Sequence, residues 1–261
     1  MRRDGPKSLI SKIGLGLALA AALGAVAAGY GNGAHWWSYR VALTALPWAA
    51  ALGLAGAAVS LAGLLWRRRR GSKRRAIVYA LLGLLLGLTM AGYPYSMRVI
   101  AGHVPPIHDI TTDTANPPQF VALVPLREAA GATSPAAYDG PATARLQLEA
   151  YPDIKPALYA ASESQVFEAA LATAKSMGWQ IVASVPAEGR IEAIATTFWF
   201  HFKDDVVIRI ETERNAPSVG PGLVTRVDIR SKSRVGRSDL GTNAARIKRF
   251  LLALDRRMTG R

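Results

Sequence analysis

The sequence predicts an N-terminal membrane region of three α-helices, followed by a soluble α+β two-layer domain with an antiparallel sheet and two helices. Long apolar stretches fill the first 97 residues, and a pattern of helix, strands and helix fills the end of the chain. Residues 1–95 hold 12 Lys and Arg and one acid, whereas the remainder holds 20 and 17. The predicted regions are therefore a membrane region (1–97), a proline-rich extended segment (98–160) and an α+β core (161–261), the last two forming an outer domain.

The three membrane helices follow from length and hydropathy. About 20 apolar residues in a helix cross a hydrocarbon core of about 30 Å. The second and third apolar stretches contain 26 and 22 residues without a charge. Trp and Tyr near the ends of these stretches are typical of a membrane–water interface. The predicted helices cover about 13–30, 41–66 and 76–97, and the aromatic residues are Trp36, Trp37, Trp48, Trp66, Tyr93 and Tyr95.

The cationic segment 67–75, RRRRGSKRR, sets the predicted orientation. Seven of its nine residues are Arg or Lys, and each would cost about 2.5–3.5 kcal/mol at the bilayer centre. The segment therefore lies in water, as a cytoplasmic topology signal rather than as an anionic-lipid site. The chain then crosses in, out, in and out, which places residues from about 98 onward in the periplasm of a bacterial inner-membrane protein. If the first stretch is instead a signal peptide cleaved near residues 25–27, that placement is unchanged.

Composition excludes several function classes. The net charge of +14 belongs mostly to the membrane region, so no nucleic-acid partner is predicted. The lack of cysteine excludes disulfides, thiolate zinc sites and cysteine nucleophiles. The predicted spans contain no ionisable residue, which argues against a transporter. Without a glycine-rich phosphate loop, a nucleophile elbow or a metal-spaced histidine pair, no cofactor and no metal is predicted.

The outer domain begins extended and becomes regular after residue 160. Nine of the 15 prolines fall between Pro105 and Pro156, and proline discourages long helices. Ser162 and Gln165 then form a capping box that begins a helix, which Gly178 ends. Four antiparallel strands are predicted at 179–185, 190–202, 206–212 and 223–234, with a Gly- and Pro-rich loop at 215–222.

The last helix is predicted by an apolar stripe with spacings of three and four residues. Such a stripe buries one helix face against a sheet. Ser238 or Asp239 caps the start of this helix. The stripe consists of Leu240, Ala244, Ile247, Leu251, Leu254 and Met258.

The polar step at Lys203, Asp204 and Asp205 separates two apolar runs, and we interpret it as the turn of a hairpin. Consecutive strand residues point to opposite faces, so the two aspartates can converge on one ligand only from a turn. The alternative is a cation site or a general acid/base pair that His201 and Asp239 join. That alternative would make the chain an envelope hydrolase or a cation-dependent enzyme.

A cationic stripe on the fourth predicted strand suggests an anion site. Side chains at every second position share one face, and the strand leads toward a helix N-terminus, whose free amides favour anions. The competing interpretation is a solvated face that pairs with Glu192, Glu211 or Glu213. The stripe is Arg226, Asp228, Arg230, Lys232 and Arg234, and the candidate anion-binding residues are Arg230, Arg234, Ser231, Ser233 and Ser238.

Three sequence blocks carry a family resemblance. They are IHDITTDTANPPQF, GRIEAIATTFWFHFKDDVVIRI and VDIRSKSRVGRSDLGTNAARIKRFL, within residues 103–258. In combination they resemble the domain-of-unknown-function 1499 family, including its membrane-attached bacterial members. The resemblance implies no activity, but it implies that some polar positions belong to the family signature. These are Asp204, Asp205, Arg230, Ser231, Ser233, Arg234 and Asp239.

Two functions follow as expectations. The first is a non-enzymatic envelope protein whose outer domain binds a membrane lipid headgroup, another anion or an envelope protein partner. The second is the hydrolase or cation-dependent enzyme that uses Asp204, Asp205 and Asp239, with His201. The first is favoured because the sequence shows no catalytic constellation beyond the aspartate step.

Overall fold

The computed structural model describes residues 6–67, 74–214 and 223–260, arranged as two compact units. We name them the helical unit (Met1–Ile100 and Phe198–His201) and the α+β unit (Ala101–Thr197 and Phe202–Arg261), each within the described residues. Positions 68–73 of the cationic segment and the predicted loop 215–222 lie outside the described residues.

The helical unit contains the three predicted membrane helices, except for the last three residues of the third. They are α1 (Pro6–Gly33), α2 (Tyr39–Arg67) and α3 (Arg74–His103). Each is long and apolar enough to cross a membrane. All three are longer than predicted, because a charged residue ends an apolar pattern without ending a helix. Helix α3 accordingly continues through Arg98.

Small residues bring the backbones of these helices close together. A Cβ atom added at Gly14 of α1 or at Gly83 of α3 would collide with Ser60 of α2. Gly87 lies similarly close to the backbone of Gly53. Close packing of small residues is a common way for helices to associate in a membrane, because the hydrophobic effect does not drive helices together there.

The α+β unit is built on one antiparallel sheet, as predicted. Its strand order is β1-β6-β5-β4-β3, and β2 also pairs with β6. The strands are β1 (Asp109–Thr111), β2 (Ala157–Tyr159), β3 (Gln180–Val185), β4 (Arg190–Thr196), β5 (Lys203–Arg214) and β6 (Leu223–Ser233). The three-residue strands β1 and β2 lie in the segment that was predicted to be extended.

The prediction of a hairpin turn at Asp204 and Asp205 is wrong. Strand β4 ends at Thr196, six residues earlier than predicted, and β5 begins at Lys203. Both aspartates pair with β4 on one side and with β6 on the other. The aromatic stretch Phe198–His201 belongs to the helical unit instead of extending β4.

One face of the sheet packs on two helices. Helix α6 (Glu163–Ser176) begins with the predicted capping box, and α7 (Thr242–Thr259) follows β6. Their apolar faces join those of the strands in the main core. Core members include Val166, Phe167, Ile191, Val206, Ile208, Ile210, Val227, Ile229, Ile247, Phe250 and Leu254.

The other face of the sheet is also buried. The segment between β1 and β2 contains α4 (Leu123–Ala129) and α5 (Pro141–Ala150). Phe120 and Leu123 from this segment form a small apolar cluster with Ile194 and Val207 of the sheet. The remaining strand positions on this face carry charged side chains, and most of these are buried. The α+β class is confirmed, but the face that was expected to be solvated is covered.

Candidate functional site

Charged side chains fill the covered face of the sheet, and we call them the ion-pair layer. The predicted alternation along β6 is confirmed, because Val227 and Ile229 join the main core while the charged residues point to the other face. The layer combines strand residues with residues of the covering segment. It comprises Asp109, Asp113, Arg127, Asp139, Glu192, Asp205, Arg209, Arg226, Asp228, Arg230, Lys232 and Arg234.

Arg230 is fully buried, and four hydrogen bonds engage all three nitrogens of its guanidinium. Its Nε donates to Oδ1 of Asp109 at 2.8 Å, and its Nη2 donates to Oδ2 of the same carboxylate at 2.9 Å. The backbone carbonyls of Pro118 and Ala136 accept from Nη1 and Nη2 at 3.2 and 2.9 Å. A planar guanidinium suits this two-pronged contact, which an ammonium group could not reproduce.

Two aromatic rings complete the surroundings of Arg230. Its Cζ lies 4.7 Å from the centroid of the Phe120 ring and 5.5 Å from that of Tyr138. Cations are attracted to the faces of aromatic rings, most strongly where water is excluded. Arg230 therefore ties the covering segment to the sheet by ion pairing, hydrogen bonding and ring contact together.

Asp205 is a second centre of the layer. Its carboxylate accepts from Nη1 of Arg127 at 2.6 Å and from Nη2 of Arg234 at 2.7 Å. Arg127 lies on α4 and also donates to the backbone carbonyls of Ser134 and Ser233. All three charged groups are nearly or completely buried. A carboxylate held between two guanidinium groups binds the covering helix to the sheet.

Other members of the layer are paired in the same manner. Lys232 donates to Asp139 at 2.6 Å and lies 3.2 Å from Asp109. Asp228 accepts from Arg209 and Arg226, each at 2.8 Å. The hydrogen bond and charge of Asp228 raise the pKa of Arg226 above its ordinary value, against a smaller opposing effect of burial.

Glu192 ties the sheet to the start of α4. Its carboxylate accepts from the backbone amides of Val121, Ala122 and Leu123 at 2.9–3.1 Å, and it also pairs with Arg190. The free amides at a helix N-terminus favour a negative charge, and here a side chain of the sheet supplies it.

A separate polar cluster lies beneath the start of α7, on the opposite face of the sheet. Asp204 accepts from Nη2 of Arg246 at 2.5 Å. The amide of Asn243 bridges the hydroxyls of Ser231 and Ser233. These contacts satisfy the polar side chains that β6 and β5 direct toward the helix.

Asp239 precedes α7 and accepts hydrogen bonds from the amides of Gly241 and Asn243, each at 2.8 Å. The N-cap residue of α7 is Gly241, so the prediction that Ser238 or Asp239 occupies that position is wrong, although the Asp239 carboxylate still accepts from an amide of the first turn. Burial raises the pKa of the Asp239 carboxyl, the two amide hydrogen bonds oppose this shift, and the charge of Asp204 adds to it. The amide of Leu240 donates to the Ser238 hydroxyl at 3.3 Å.

The structure separates the candidate anion-binding residues onto two faces of the sheet. Arg230 and Arg234 lie in the ion-pair layer with carboxylate partners, whereas Ser231 and Ser233 face α7. Within the described residues, no ion pair joins the stripe to Glu192, Glu211 or Glu213, which were the expected partners. The cations of the stripe pair instead with Asp109, Asp113, Asp139, Asp205 and Asp228.

The candidate catalytic residues are likewise divided. Asp204 and Asp205 point to opposite faces, each toward its own arginine partners. His201 belongs to the helical unit. Among the residues that the structure describes, no group of three or more His, Asp or Glu side chains is arranged to hold a metal ion.

Sequence reasoning missed Asp109 and Arg127, which bind the stripe from outside the core strands. Asp109 stands within the first block of the family resemblance, directly opposite Lys232 in the pairing of β1 with β6. Its position in that block was a usable signal. Arg127 stands in a short helix that has no periodic apolar pattern, so nothing comparable marked it in the sequence.

A concave surface of the α+β unit lies beside α5. This pocket has a volume of about 700 Å³ and mostly apolar walls. The exposed Arg145 on its rim forms no ion pair with any residue that the structure describes. The pocket, which we call the α5 pocket, is lined by Thr114, Ala115, Pro117, Tyr138, Gly140, Pro141, Ala144, Arg145, Leu148 and Glu149.

Tyr138 joins the α5 pocket to the ion-pair layer. Its ring lies over Arg230, and its buried hydroxyl has no hydrogen-bond partner among the described residues. Burial raises the pKa of Tyr138 to about 12, and the negative charge of Asp109 adds to the shift. The hydroxyl is therefore a neutral hydrogen-bonding group at physiological pH.

A second pocket, of about 300 Å³, lies on the other side of the 116–119 loop. Arg190 and Arg209 contribute positive charge to its lining, and Glu188 and Glu211 contribute negative charge. Both arginines pair with carboxylates at the same place. Both arginines of this smaller pocket are already paired, whereas the α5 pocket contains one glutamate, Glu149, and one arginine, Arg145, that forms no ion pair among the described residues.

Taken together, the fold defines an α+β domain, bound internally by buried ion pairs, on a chain with three helices able to span a membrane. The chain belongs to the family described as Protein of unknown function (DUF1499), whose sequence model matches residues 109–254. The matched region runs from β1 into α7, as the resemblance predicts. No curated protein and no solved structure matches the chain.

Proposed function

We propose that this chain is a non-catalytic lipid-binding protein of the bacterial envelope. Its three helices hold it in the inner membrane, and its α+β unit takes up an anionic amphiphile in the α5 pocket. The observation that carries the proposal is the combination of an apolar pocket and an exposed Arg145 at its rim, which forms no ion pair with the described part of the chain.

The α5 pocket suits an amphiphile better than a polar metabolite. Its size falls within the range of about 300–1,000 Å³ that is typical of small-molecule sites. Pro141, Ala144 and Leu148 present an apolar wall along one side of α5. An acyl chain would bury against this wall, and the Arg145 guanidinium would bind a phosphate or carboxylate headgroup.

The ion-pair layer supports a binding role rather than a catalytic one. A catalytic carboxylate must exchange a proton or contact a substrate, whereas Asp205 is enclosed by two arginines and Asp204 is paired with Arg246. The same pairing occupies the guanidinium groups of Arg230 and Arg234. The charged stripe then serves as a rigid base for the segment that forms the pocket.

The proposed location rests on charge and hydropathy. Seven cations in residues 67–75 favour a cytoplasmic position for the connection between α2 and α3. With three crossings, the α+β unit then occupies the periplasm, where the headgroups of the outer leaflet of the inner membrane supply anionic lipids. The starting material for an experiment should therefore be protein that was extracted together with its native lipids.

The experiment is native mass spectrometry of the full chain, gently extracted from its own membrane. Ala144→Phe places a ring in the α5 pocket, and Ala142→Phe places the same ring on an exposed position of the same helix. We expect a lipid-sized adduct on the wild type and on Ala142→Phe, and its loss from Ala144→Phe. Equal adducts on both variants would contradict binding in this pocket.

A second pair of variants tests the proposed contact between Arg145 and the lipid headgroup. Arg145→Gln removes the cation at the pocket rim, and Arg249→Gln removes an exposed cation from α7. The first should weaken retention of anionic lipid and the second should not. If neither variant alters the adduct, the proposal that Arg145 binds the anionic headgroup is wrong.

A further inference from the structure

An aromatic segment inserted between β4 and β5 is part of the helical unit. Phe198–His201 groups with residues up to Ile100 rather than with the strands that flank it in the chain. Phe198, Trp199 and Phe200 are three consecutive aromatic residues. The Phe198 side chain is 87% exposed, more than any other large hydrophobic side chain among the described residues.

The segment is held firmly against α1 and α3. Nε1 of Trp199 donates to the backbone carbonyl of Ala25 at 3.2 Å, and its ring meets that of Tyr93 edge-on at 5.4 Å. Nδ2 of Asn32 donates to the carbonyl of Phe200 at 2.6 Å. The exposed Phe198 is therefore presented by an anchored segment.

Two glycines of α1 make this approach possible. A Cβ atom at Gly29 would collide with the Trp199 ring and come within 2.7 Å of its carbonyl oxygen. A Cβ at Gly33 would come within 2.5 Å of the His201 ring. The C-terminal end of α1 thus has a face without side chains that accommodates this segment. The Tyr30 ring adds a further contact, because it meets the His201 ring edge-on at an interplanar angle of 60°.

The depth of the contact places the segment at the hydrocarbon boundary. Ala25 lies eight residues before Gly33, the last residue of α1, which corresponds to about 12 Å along the helix. The apolar part of α1, Leu9–Gly33, has 25 residues, or about 37 Å, against a hydrocarbon core of about 30 Å. If the excess of about 7 Å is shared equally between the two ends, the Trp199 ring, which contacts Gly29 and Ala25, lies between about 2 Å and about 8 Å inside the boundary between headgroups and acyl chains.

Non-helical backbone at this depth needs internal hydrogen bonds, and the two residues that flank the segment form them. The amide of Thr197 donates to the carbonyl of Phe202 at 2.9 Å, and the amide of Phe202 donates to the Thr197 hydroxyl at 2.9 Å. Together with the Asn32 contact, these bonds close the loop on itself and on α1. These bonds reduce the number of backbone groups at this level that would otherwise need water.

We infer that the segment Phe198–His201 is an interfacial membrane anchor whose Phe198 side chain inserts among the acyl chains of one lipid leaflet. The partner is the phospholipid bilayer itself. Aromatic side chains concentrate at this level of a membrane, and the neighbouring Tyr93 fits the same belt. The anchor is independent of the α5 pocket and of the ligand proposed there.

The test uses the lack of cysteine in the chain, which makes single labelling sites simple to introduce. The full chain with Phe198→Cys carries an environment-sensitive fluorophore in vesicles of phosphatidylethanolamine and phosphatidylglycerol. Nitroxide groups high on the acyl chains quench from the lipid, and iodide quenches from water. Leu85→Cys on the exposed face of α3 and Glu168→Cys on the exposed face of α6 provide lipid and water references.

We expect the label at position 198 to be quenched by nitroxide lipid several-fold more than the label at position 168, and to be protected from iodide. Iodide quenching equal to that at position 168 would overturn the inference. Gly29→Leu, combined with Phe198→Cys, should remove the protection by displacing Trp199. If the label stays protected in that variant, the proposed seating on α1 is wrong.

Discussion

Replacing Arg230 with methionine should destabilise the α+β unit strongly. The substitution keeps an unbranched apolar stem but removes the guanidinium that satisfies both oxygens of Asp109 and the carbonyls of Pro118 and Ala136. Removing one partner of a buried ion pair typically costs about 3–5 kcal/mol, because the other charge stays buried. Lys232, 3.2 Å from Asp109, remains to offset part of this cost, so we expect about 3 kcal/mol.

Hydrogen exchange of the full chain, read on peptides from β5 and β6, measures this loss directly. Every 1.4 kcal/mol corresponds to a factor of ten, so opening of these strands should become about 100-fold more frequent. Arg249→Met is the matched control, because it removes an exposed cation from the same unit. We expect a change within about 0.5 kcal/mol there.

The double variant Asp109→Asn, Arg230→Met separates charge burial from general damage. Removing both charges together should cost less than the sum of the single changes, since no uncompensated ion remains. An Arg230→Met effect as small as that of Arg249→Met would refute the structural role of the ion-pair layer. Arg230 would then again be a candidate ligand-binding residue.

Three further predictions follow from the same contacts. Asp205→Asn should lower the free energy of unfolding of the α+β unit by about 3 kcal/mol or more, because it leaves Arg127 and Arg234 facing each other without a carboxylate; an unchanged denaturation midpoint would contradict this. Asp239→Asn should change how the stability of α7 depends on pH. The pKa of Asp239 is raised in the folded state, so the stability that this residue contributes is complete below its unfolded pKa. That contribution is lost as the pH rises through the folded pKa. The wild type minus variant difference in exchange protection of α7 should therefore fall with rising pH, and a difference that grows with pH would reverse the assigned sign. Tyr138 should ionise only near pH 12, so the tyrosinate absorbance lost in Tyr138→Phe should belong to the last-titrating tyrosines; an ordinary titration near pH 10 would show that its ring is not buried as described.

Local features of the fold were predictable because their signals are local. The Ser162–Gln165 capping box and the stripe of α7 depend on residues within a few positions of one another, and the structure contains both elements. The alternation along β6 was likewise predictable from its period of two. The membrane helices needed only length and hydropathy, although their ends did not follow the apolar pattern.

The covering of the charged face could not be predicted, because it depends on pairing over long distances in the chain. Arg230 meets Asp109 across 121 positions, and Arg127 meets Asp205 across 78. The strands β1 and β2 have three residues each, too few to show a period. A stripe of cations therefore resembled an anion site, although its anions are supplied from within the chain.

The aspartate step was misplaced for a related reason. Sequence periodicity continues through the aromatic run after β4, so the first polar residues afterwards resembled a turn. The run instead packs with the helical unit, which α1 makes possible through Gly29 and Gly33. That contact involves residues more than 160 positions apart, as the 168-position separation of Asn32 and Phe200 illustrates.

Photo-crosslinking in native membranes tests the central claim most directly. Cells supplied with a lipid precursor that carries a diazirine on the acyl chain are irradiated, and the crosslinked peptides of the full chain are identified. The account predicts lipid adducts on the α5 peptide Pro141–Ala150, which Ala144→Phe abolishes and Ala142→Phe retains. Adducts confined to α1, α2 and α3, with α5 unmodified, would contradict the proposal that the α+β unit binds lipid.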